Sequence, residues 1–411
     1  MDESTALLPN LFRTEYRKIV SVLCYRFGIE HIEVAEDIVS DTFLSATESW
    51  SVNGNPANPT AWLYMVAKNK TKNYLRRTSL LNQKLSPEIR STTAITEELE
   101  LDFSTKNITD SQLAMLFAVC DPCISSDSQI ALALNLLCGF GIQEIADAFL
   151  TNKEVIYKRI NRAKDKLKEH KVSIEQPSRT ELNKRLETVL TTTYLLFSEG
   201  YYSVSQHTIL RRELCVEAMR LCYLLTEHEI TNQLSTNALL SLICFHSSRF
   251  DARMNGNGEI ILYDDQDESL WNNELIERGQ YYLQRSSSPT QLTRYHLEAG
   301  IAYYHTLKSD DDDKWNGILQ LYNQLLILEY SPIAALNRTF ALSKTAGKEK
   351  AIAEAEKLAL TDNHFYFTLL GKLYTDLNDE LALQHYKTAY ALARTDADRA
   401  IISKNIKDFS A

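Results

Sequence analysis

The sequence predicts an all-α protein built from several domains. Glycine and proline are scarce, with 12 and 8 residues among 411, whereas tyrosine is abundant with 21. Apolar residues recur along most of the chain at the i, i+3, i+4 spacing of helices that bury one face. Because 411 residues exceed the usual length of one domain, we expect two or three helical domains.

The net charge of −10 limits the kinds of partner that the surface can bind. A protein that binds nucleic acid over its whole surface would be basic, so any DNA contact must be local. The seven cysteines are odd in number and lie mostly in apolar helical patterns, which is typical of buried free thiols. The first ten residues lack a signal-peptide pattern, and no apolar run approaches about 20 residues, so we expect a cytoplasmic protein.

Residues 141–171 have the pattern of a helix-turn-helix. Apolar stripes run along both predicted helices, and a tight turn at 150–152 separates them. The other faces of the second helix carry eight basic residues against three acidic ones, a local charge of about +5. The basic residues are Lys153, Lys158, Arg159, Arg162, Lys164, Lys166, Lys168 and Lys171. This pattern is typical of a helix that enters the DNA major groove, although two core helices with a solvated basic face would also produce it.

Residues 11–77 are predicted to form three or four helices. The helix from Glu30 to Trp50 contains six acidic residues and neither lysine nor arginine. One of its faces combines Glu33, Asp37, Asp41, Leu44 and Glu48. Like charges on one helix face repel one another, and a basic partner surface would relieve that repulsion. A solvated acidic face is the alternative.

The next helix reverses the charge of the acidic one. Residues 51–59 form a loop by composition, and Pro59 is well placed to begin a helix. Residues 60–77 contain five basic and no acidic side chains, with Trp62, Tyr64 and Tyr74 interleaved. Basic residues among aromatic ones suit melted nucleic acid, whose bases stack and whose phosphates need neutralising. Trp62 fits core packing equally well, because apolar residues adjoin it.

Residues 78–108 are rich in serine, threonine and glutamate and are predicted to be a linker. A helical pattern resumes at Thr109, with Thr109 or Asp110 as the predicted N-cap. Two apolar helices then lead into the helix-turn-helix. Cys120 and Cys123 have CxxC spacing but lack two further ligands for zinc, so the segment reads as a turn.

In their order and spacing, these segments resemble an extracytoplasmic-function sigma factor, the minimal sigma-70 class. The resemblance rests on residues 36–43, 50–63, 76–77, 144–146 and 159–164. It divides this part of the chain into region 2 (1–77), a linker (78–108) and region 4 (109–172). Ser40 departs from the family pattern, which usually has a longer polar side chain there.

The resemblance implies a role for each segment. The acidic face would dock on the β′ clamp helices of core RNA polymerase, and region 4 would meet the β flap. The residues implied for the promoter −10 element are Asn53, Asn55, Thr60, Trp62, Lys68, Asn69, Lys72, Asn73, Arg76 and Arg77. Those implied for the −35 element are Lys153, Glu154, Tyr157, Lys158, Arg159, Arg162 and Lys164. At the −35 element, the residues that would face base edges are Lys153, Glu154, Tyr157 and Lys158. Arg159 and Arg162 would contact phosphates.

Residues 180–411 form an extension beyond a minimal sigma factor. Near 331–395, similar residues recur 34 positions apart, which is the period of a tetratricopeptide repeat (TPR). The pairs are Leu336/Leu370, Asn337/Gly371, Phe340/Tyr374, Ile352/Tyr386, Ala355/Ala389 and Leu358/Leu392. Two such units cannot bury their faces alone, so the helices from Glu181 onward are predicted to complete the array. Residues 260–263 could form one short strand.

With segments 194–202 and 265–271, the extension resembles the sigma-factor subgroup that carries a fused TPR-type C-terminal domain. That resemblance implies that the extension is needed for activity and that no anti-sigma factor is typical. We predict that the TPR-like domain regulates the factor in cis and binds a protein partner. The promoter sequence, the inducing signal and the oligomeric state do not follow from the sequence.

Other groups of polar residues point to no reaction. His246, Arg249, Asp251 and Arg253 are close in sequence, but a hydrogen-bonded core cluster explains them without a function. The chain contains no phosphate-binding loop, nucleophile elbow or HExxH motif, so we expect no enzymatic activity, cofactor or metal. The leading interpretation is therefore an alternative sigma factor. The alternatives are a TPR-containing helix-turn-helix regulator that does not replace sigma, and a scaffold without DNA function.

Overall fold

The protein is all-α throughout the part of the chain that the structure, a computed structural model, describes. The helices group into two compact units, Met1–Gly200 and Tyr201–Ala411. The described residues are 3–85, 101–175, 179–202, 208–253, 261, 263–287, 292–393 and 395–409. The central part of the expected linker, residues 86–100, lies outside them, and so do residues 260 and 262 of the expected strand.

Three long helices begin the first unit: α1 (Glu3–Phe27), α2 (Ile32–Asn53) and α3 (Pro59–Leu85). The chain leaves α1 through Gly28, whose φ of +86° is a conformation that side chains with a Cβ rarely adopt. Pro59 is the first residue of α3, as predicted, since its fixed φ suits a helix start. The apolar stripes of the three helices meet in one core, which includes Ile19, Leu23, Ile32, Val39, Phe43 and Leu63.

Four further helices follow: α4 (Thr105–Val119), α5 (Ser126–Leu137), α6 (Ile142–Ala148) and α7 (Lys153–Glu169). The predicted N-cap at Thr109 or Asp110 was wrong, because α4 begins one turn earlier. Ser104 caps it, with its hydroxyl oxygen accepting the N–H of Asn107 at 3.3 Å. Every residue from 111 to 119 is buried, since α4 packs against both α1 and α5.

The predicted helix-turn-helix is formed by α6 and α7. Gly141 precedes α6 and donates its N–H to the Glu144 carboxylate at 2.7 Å. Leu150 turns the chain with a φ of +49°, and Asn152 then caps α7 by accepting the N–H of Val155 at 2.9 Å. The buried Ala146 lets the two helices approach closely.

The eighth helix, α8 (Arg179–Tyr202), belongs almost entirely to the first unit. Its Arg185 donates to the carbonyl of Phe117 at 2.8 Å, and its Thr192 hydroxyl donates to Gln129 at 2.9 Å. The sequence placed the start of the extension at residue 180, but these bonds tie α8 to α4 and α5.

Truncation after Lys171 is therefore expected to destabilise the first unit, whereas truncation after Tyr202 is not. The shorter chain loses α8 and leaves the buried Gln129 amide oxygen without its Thr192 donor; an unmet buried polar group alone costs about 1–3 kcal/mol. Thermal unfolding of the two truncated chains, followed by circular dichroism, checks this. Equal midpoints for the two would contradict the role of α8.

The second unit is an array of helices that pack mainly on their neighbours in sequence, as in helical repeat proteins. They are α9 (Thr208–Thr226), α10 (Leu234–Ser248), α11 (Asn273–Ser286), α12 (Arg294–Tyr304), α13 (Asp312–Leu328), α14 (Pro332–Ala346), α15 (Lys348–Leu358), α16 (His364–Tyr374), α17 (Asp379–Leu392) and α18 (Asp396–Asp408). Tyr263, at the end of the expected strand, instead begins the short 3-10 helix Tyr263–Asp265.

Five of the six residue pairs that lie 34 positions apart have the same degree of burial in two helical hairpins, α14–α15 and α16–α17; the exception is exposed Asn337 and buried Gly371. Leu336 and Leu370 are both buried, and Ala355 and Ala389 are both fully buried. At Gly371 an added Cβ would lie 2.8 Å from the Tyr386 ring, so the close approach of α16 and α17 requires glycine. This arrangement is compatible with the TPR interpretation.

No helix among the described residues is both long enough and apolar enough to span a membrane.

Candidate polymerase and nucleic-acid interfaces

The acidic face of α2 is open to solvent. Glu33, Asp37, Asp41, Leu44 and Glu48 are all exposed, and the apolar Leu44 is 57 % exposed. The opposite stripe of the helix is buried in the core of the unit. The predicted face thus presents four carboxylates around one apolar side chain, a surface suited to a basic partner with a small apolar pocket.

The loop after α2 presents amide side chains to solvent. Asn53 and Asn55 are exposed, and Gly54 between them turns the chain with a φ of +77°. Asn58 caps α3 by accepting the N–H of Ala61 at 3.0 Å. Thr60 is half-buried.

Trp62 is half-buried, which is compatible with both of its predicted roles. Its ring lies edge-on to the buried Trp50, with 5.4 Å between ring centres. Packing on one side therefore fixes the indole, and the remainder of its surface stays open for contact.

One surface of α3 carries the remaining residues expected at the −10 element. Asn69, Lys72, Asn73, Arg76 and Arg77 are exposed, and Lys68 is half-buried. Thr71, between them in sequence, is buried. The positive charge is thus confined to the outer surface of the helix.

The second helix of the helix-turn-helix presents most of the residues expected at the −35 element. Lys153, Glu154, Tyr157, Lys158 and Arg162 are exposed. Arg159 is half-buried: its guanidinium lies over the Phe149 ring and 3.5 Å from the Asp127 carboxylate.

A groove of ≈ 410 Å³ lies between α7 and the start of α5. Its polar lining consists of Ser125, Ser128, Lys158, Arg159, Arg162 and Lys166. Cations and hydroxyl groups are the side chains that bind DNA phosphates. The sequence missed Ser125 and Ser128, because the pairing of α5 with α7 depends on the tertiary fold.

Lys164 differs from the other residues expected to contact DNA. It is only 6 % exposed, and its Nζ lies 2.6 Å from the Glu36 carboxylate of α2. The side chain therefore faces α2 rather than solvent, which the sequence did not predict, and its role at the −35 element stays a prediction. The apolar stripe of α7 packs against the unit's core and carries Lys164 with it.

Two further ion pairs in the first unit join helices α1 and α2 to helices α6 and α7. Lys168 Nζ lies 2.5 Å from the Glu33 carboxylate, and the Arg13 guanidinium lies 2.7 Å from Glu144 of α6. Glu33 thus belongs both to the predicted docking face and to the contact with α7. In the sequence, the acidic residues 33 and 36 and the basic residues 164 and 168 each lie about one helical turn apart. The sequence does not show that the two helices meet.

The pKa values of the two glutamates differ in direction. Burial raises the pKa of Glu36 above its usual range, and the nearby Lys164 ammonium only partly opposes that effect. Burial also acts to raise the pKa of Glu33, but the hydrogen bond from Lys168 and the charges of Lys168 and Lys164 outweigh it and lower the value. Glu36 is therefore the more desolvated of the two and depends more on its lysine partner.

Comparison with known proteins supports the interpretation of the acidic and basic helices in the N-terminal third. Residues 11–80 match the family Sigma-70 region 2. Residues 185–287 match a family of unknown function, DUF6596, which spans the end of the first unit and the start of the second.

A relative covers nearly the whole chain. The Rhizobium meliloti (strain 1021) protein named Uncharacterized protein R00370 is 30% identical over 389 residues, which are 93% of this chain and 91% of that protein. No solved structure matches the chain. The chain therefore belongs to the same family as the Rhizobium meliloti protein and, through its region 2 domain, to the sigma-70 proteins.

Proposed function

We propose that the protein is an alternative sigma factor of the extracytoplasmic-function class, which binds core RNA polymerase in the bacterial cytoplasm and directs it to specific promoters. The observation that carries the proposal is the coincidence of a sigma-70 region 2 with an open acidic face on α2 and a basic outer surface on α3. The role proposed is one of binding and melting, without an enzymatic step or a cofactor.

Each interface has a proposed partner. The acidic face of α2 docks on the β′ clamp helices, and region 4 meets the β flap. The exposed amides of Asn53 and Asn55, the Trp62 indole and the basic surface of α3 hold the melted −10 element. The exposed side chains at the start of α7 read the −35 element, and the groove beside α5 holds its phosphates.

Transcription in a purified system tests the proposal. Core polymerase with the full-length protein should give promoter-specific transcripts on fragments of its own genome, with no other sigma factor present. The alternative, a helix-turn-helix regulator that does not replace sigma, predicts transcripts only from a holoenzyme that already contains another sigma factor. This alternative also assigns DNA binding to the surface of α7, but it assigns no role to the acidic face of α2.

Removing two cations of α7 should weaken the salt dependence of DNA binding. Lys158 and Arg162 are exposed and line the groove. If each neutralises one phosphate, alanine at both positions lowers the slope of log K against log salt by about 1.8, since each phosphate contributes about 0.9. Titrating holoenzyme on duplex DNA at several salt concentrations measures this slope.

A matched pair of substitutions controls for net charge. Lys350→Ala with Lys387→Ala removes two exposed cations of the second unit and should leave the slope unchanged. A slope that both pairs lower equally would indicate an effect of net charge rather than contacts through α7.

The second unit is proposed to regulate the factor in cis and to bind a protein partner through its TPR-like helices. Tyr201–Ala411 is a compact unit of its own, so a truncation after Tyr202 removes nearly all of it and leaves the first unit intact. Transcript levels from the truncated and full-length proteins should differ in cells. Identical transcripts under every growth condition tested would contradict a regulatory role.

A further inference from the structure

A cluster of basic and aromatic side chains surrounds Tyr263 in the second unit, and the function proposed above uses none of them. We call it the Tyr263 cluster. The Arg249 guanidinium carbon lies 5.4 Å from the centre of the Tyr263 ring, and Lys314 Nζ lies 5.3 Å from it. The rings of His305 and Trp271 lie 4.9 Å and 6.4 Å away.

His246 links this group to a second arginine. The His246 ring lies 4.7 Å from the ring of Tyr201, over which the Arg253 guanidinium lies at 4.0 Å. Complete burial lowers the pKa of His246 well below its usual range, and the positive charges of Arg249 and Arg253 lower it further. The imidazole is therefore neutral.

The carboxylates near these residues whose side chains the structure describes form other contacts. Asp251 pairs with Arg212 at 2.7 Å, Asp265 with Lys404 at 3.4 Å, and Glu268 with Lys308 at 3.7 Å. Asp310 accepts the Trp315 indole N–H at 2.5 Å, and this hydrogen bond, with the charges of Lys344 and Lys314, lowers the pKa of Asp310. Among the described residues, no carboxylate forms an ion pair with Arg249.

Lys314 cannot hold a ligand directly. It is 3 % exposed, and its Nζ donates to the Tyr263 hydroxyl and to the carbonyls of Leu307 and Ser309, at 2.8–3.0 Å. Three donated hydrogen bonds use all the hydrogens of an ammonium group. Lys314 therefore contributes charge and holds Tyr263 in place.

Two buried donors in the Tyr263 cluster have no acceptor. Arg249 is 7 % exposed and its Nε has no hydrogen-bond partner; Trp271 is 6 % exposed and its indole N–H has none either. The N–H of Asn272 donates to the carbonyl of Ser248 at 2.8 Å, which holds the two side chains on adjoining segments. Buried donors are nearly always satisfied, and a buried arginine without a counter-ion is costly.

We propose that the Tyr263 cluster binds a small oxyanion, a compound that carries a carboxylate or phosphate group. Its oxygens accept hydrogen bonds from Arg249 Nε and the Trp271 indole, the two donors without partners. Arg253 and Lys314 provide further positive charge, and the Tyr263 ring packs against the ligand. The site lies within the second unit and does not depend on the function proposed for the first.

Calorimetric titration of the full-length protein tests the proposal in a buffer that contains neither probe. Inorganic phosphate is the probe in one arm and citrate in the other, and the tighter of the two identifies the chemical class. We expect saturable binding of one anion per chain. Arg249→Gln should weaken it at least tenfold, which corresponds to about 1.4 kcal/mol.

A second substitution and a matched control complete the experiment. Trp271→Phe keeps an aromatic ring but removes the N–H, and it should weaken binding several-fold even if the Arg249 variant does not fold. Arg285→Gln is the control, because Arg285 also lies over a tyrosine ring, that of Tyr281 at 5.6 Å, outside the Tyr263 cluster. No saturable binding of either anion up to about 10 mM, tenfold above a weak 1 mM site, would overturn the proposal. Equal weakening by Arg249→Gln and Arg285→Gln would overturn it too.

Discussion

Asp37→Lys combined with Asp41→Lys should abolish promoter-specific transcription by core polymerase. The two carboxylates are exposed one turn apart at the middle of the acidic face of α2. If that face docks on a basic surface, the substitution places like charges opposite each other, which costs several kcal/mol. We expect at least a 100-fold loss of affinity, about 2.8 kcal/mol. Fluorescence anisotropy of the labelled protein, titrated with core polymerase, measures it.

The matched control changes the net charge equally at another surface. Glu227 and Glu229 are exposed in the second unit, and Glu227→Lys with Glu229→Lys should leave the affinity for core polymerase within about twofold. If the α2 variant binds as tightly as the control, the acidic face is a solvated surface and the docking assignment is wrong.

Local patterns explain why much of the candidate interface could be predicted from the sequence. The i, i+4 spacing of Asp37 and Asp41 fixes a shared face whatever the helix packs against. The start of α3 at Pro59 and the tight turn at 150–152 before α7 likewise depend on a few adjacent residues. Features of this kind need no knowledge of which helices meet.

The remaining features depend on tertiary contacts. The segment from Ser111 to Val119 is buried on every side because it packs against α1 and α5. Its sequence therefore gave no amphipathic signal from which to locate the start of α4. The assignment of α8 to the first unit depends on Thr192 and Gln129, which are far apart in sequence. The buried donors of Arg249 and Trp271 could not be foreseen either, because residue types alone do not show which polar atoms lack partners.

The contact between α2 and α7 uses residues of both proposed interfaces and therefore competes with the proposed function of each helix. Glu33 of the docking face is paired with Lys168, and Lys164 of α7 is paired with Glu36. The Lys168 pair is partly exposed, and such pairs contribute at most about 1 kcal/mol. In the other pair Lys164 is buried and Glu36 is half-buried, and removing one partner of a buried pair costs up to about 3–5 kcal/mol. Lys164 and Glu36 therefore dominate the ion-pair contribution to this contact.

Lys164→Met should weaken the ion-paired contact between α7 and α2 and raise the affinity for core polymerase by about tenfold, or 1.4 kcal/mol. The substitution leaves the Glu36 carboxylate buried without its ammonium partner, so the packed arrangement loses stability and Glu33 is freed for docking. Hydrogen exchange of the α7 amides measures the loosening, and titration with core polymerase measures the affinity.

Two further variants decide whether the ion pair is responsible. Glu36→Gln in the Lys164→Met background removes the uncompensated charge and should restore slow exchange in α7, because a buried pair can be replaced by neutral groups at little cost. Lys166→Met removes an exposed lysine of the same helix that lines the groove beside α5, and it should change neither measurement. If Lys164→Met and Lys166→Met behave alike, the contact between α2 and α7 does not restrain polymerase binding. If the single variant opens α7 yet leaves the affinity unchanged, the docking face is already accessible in the packed state.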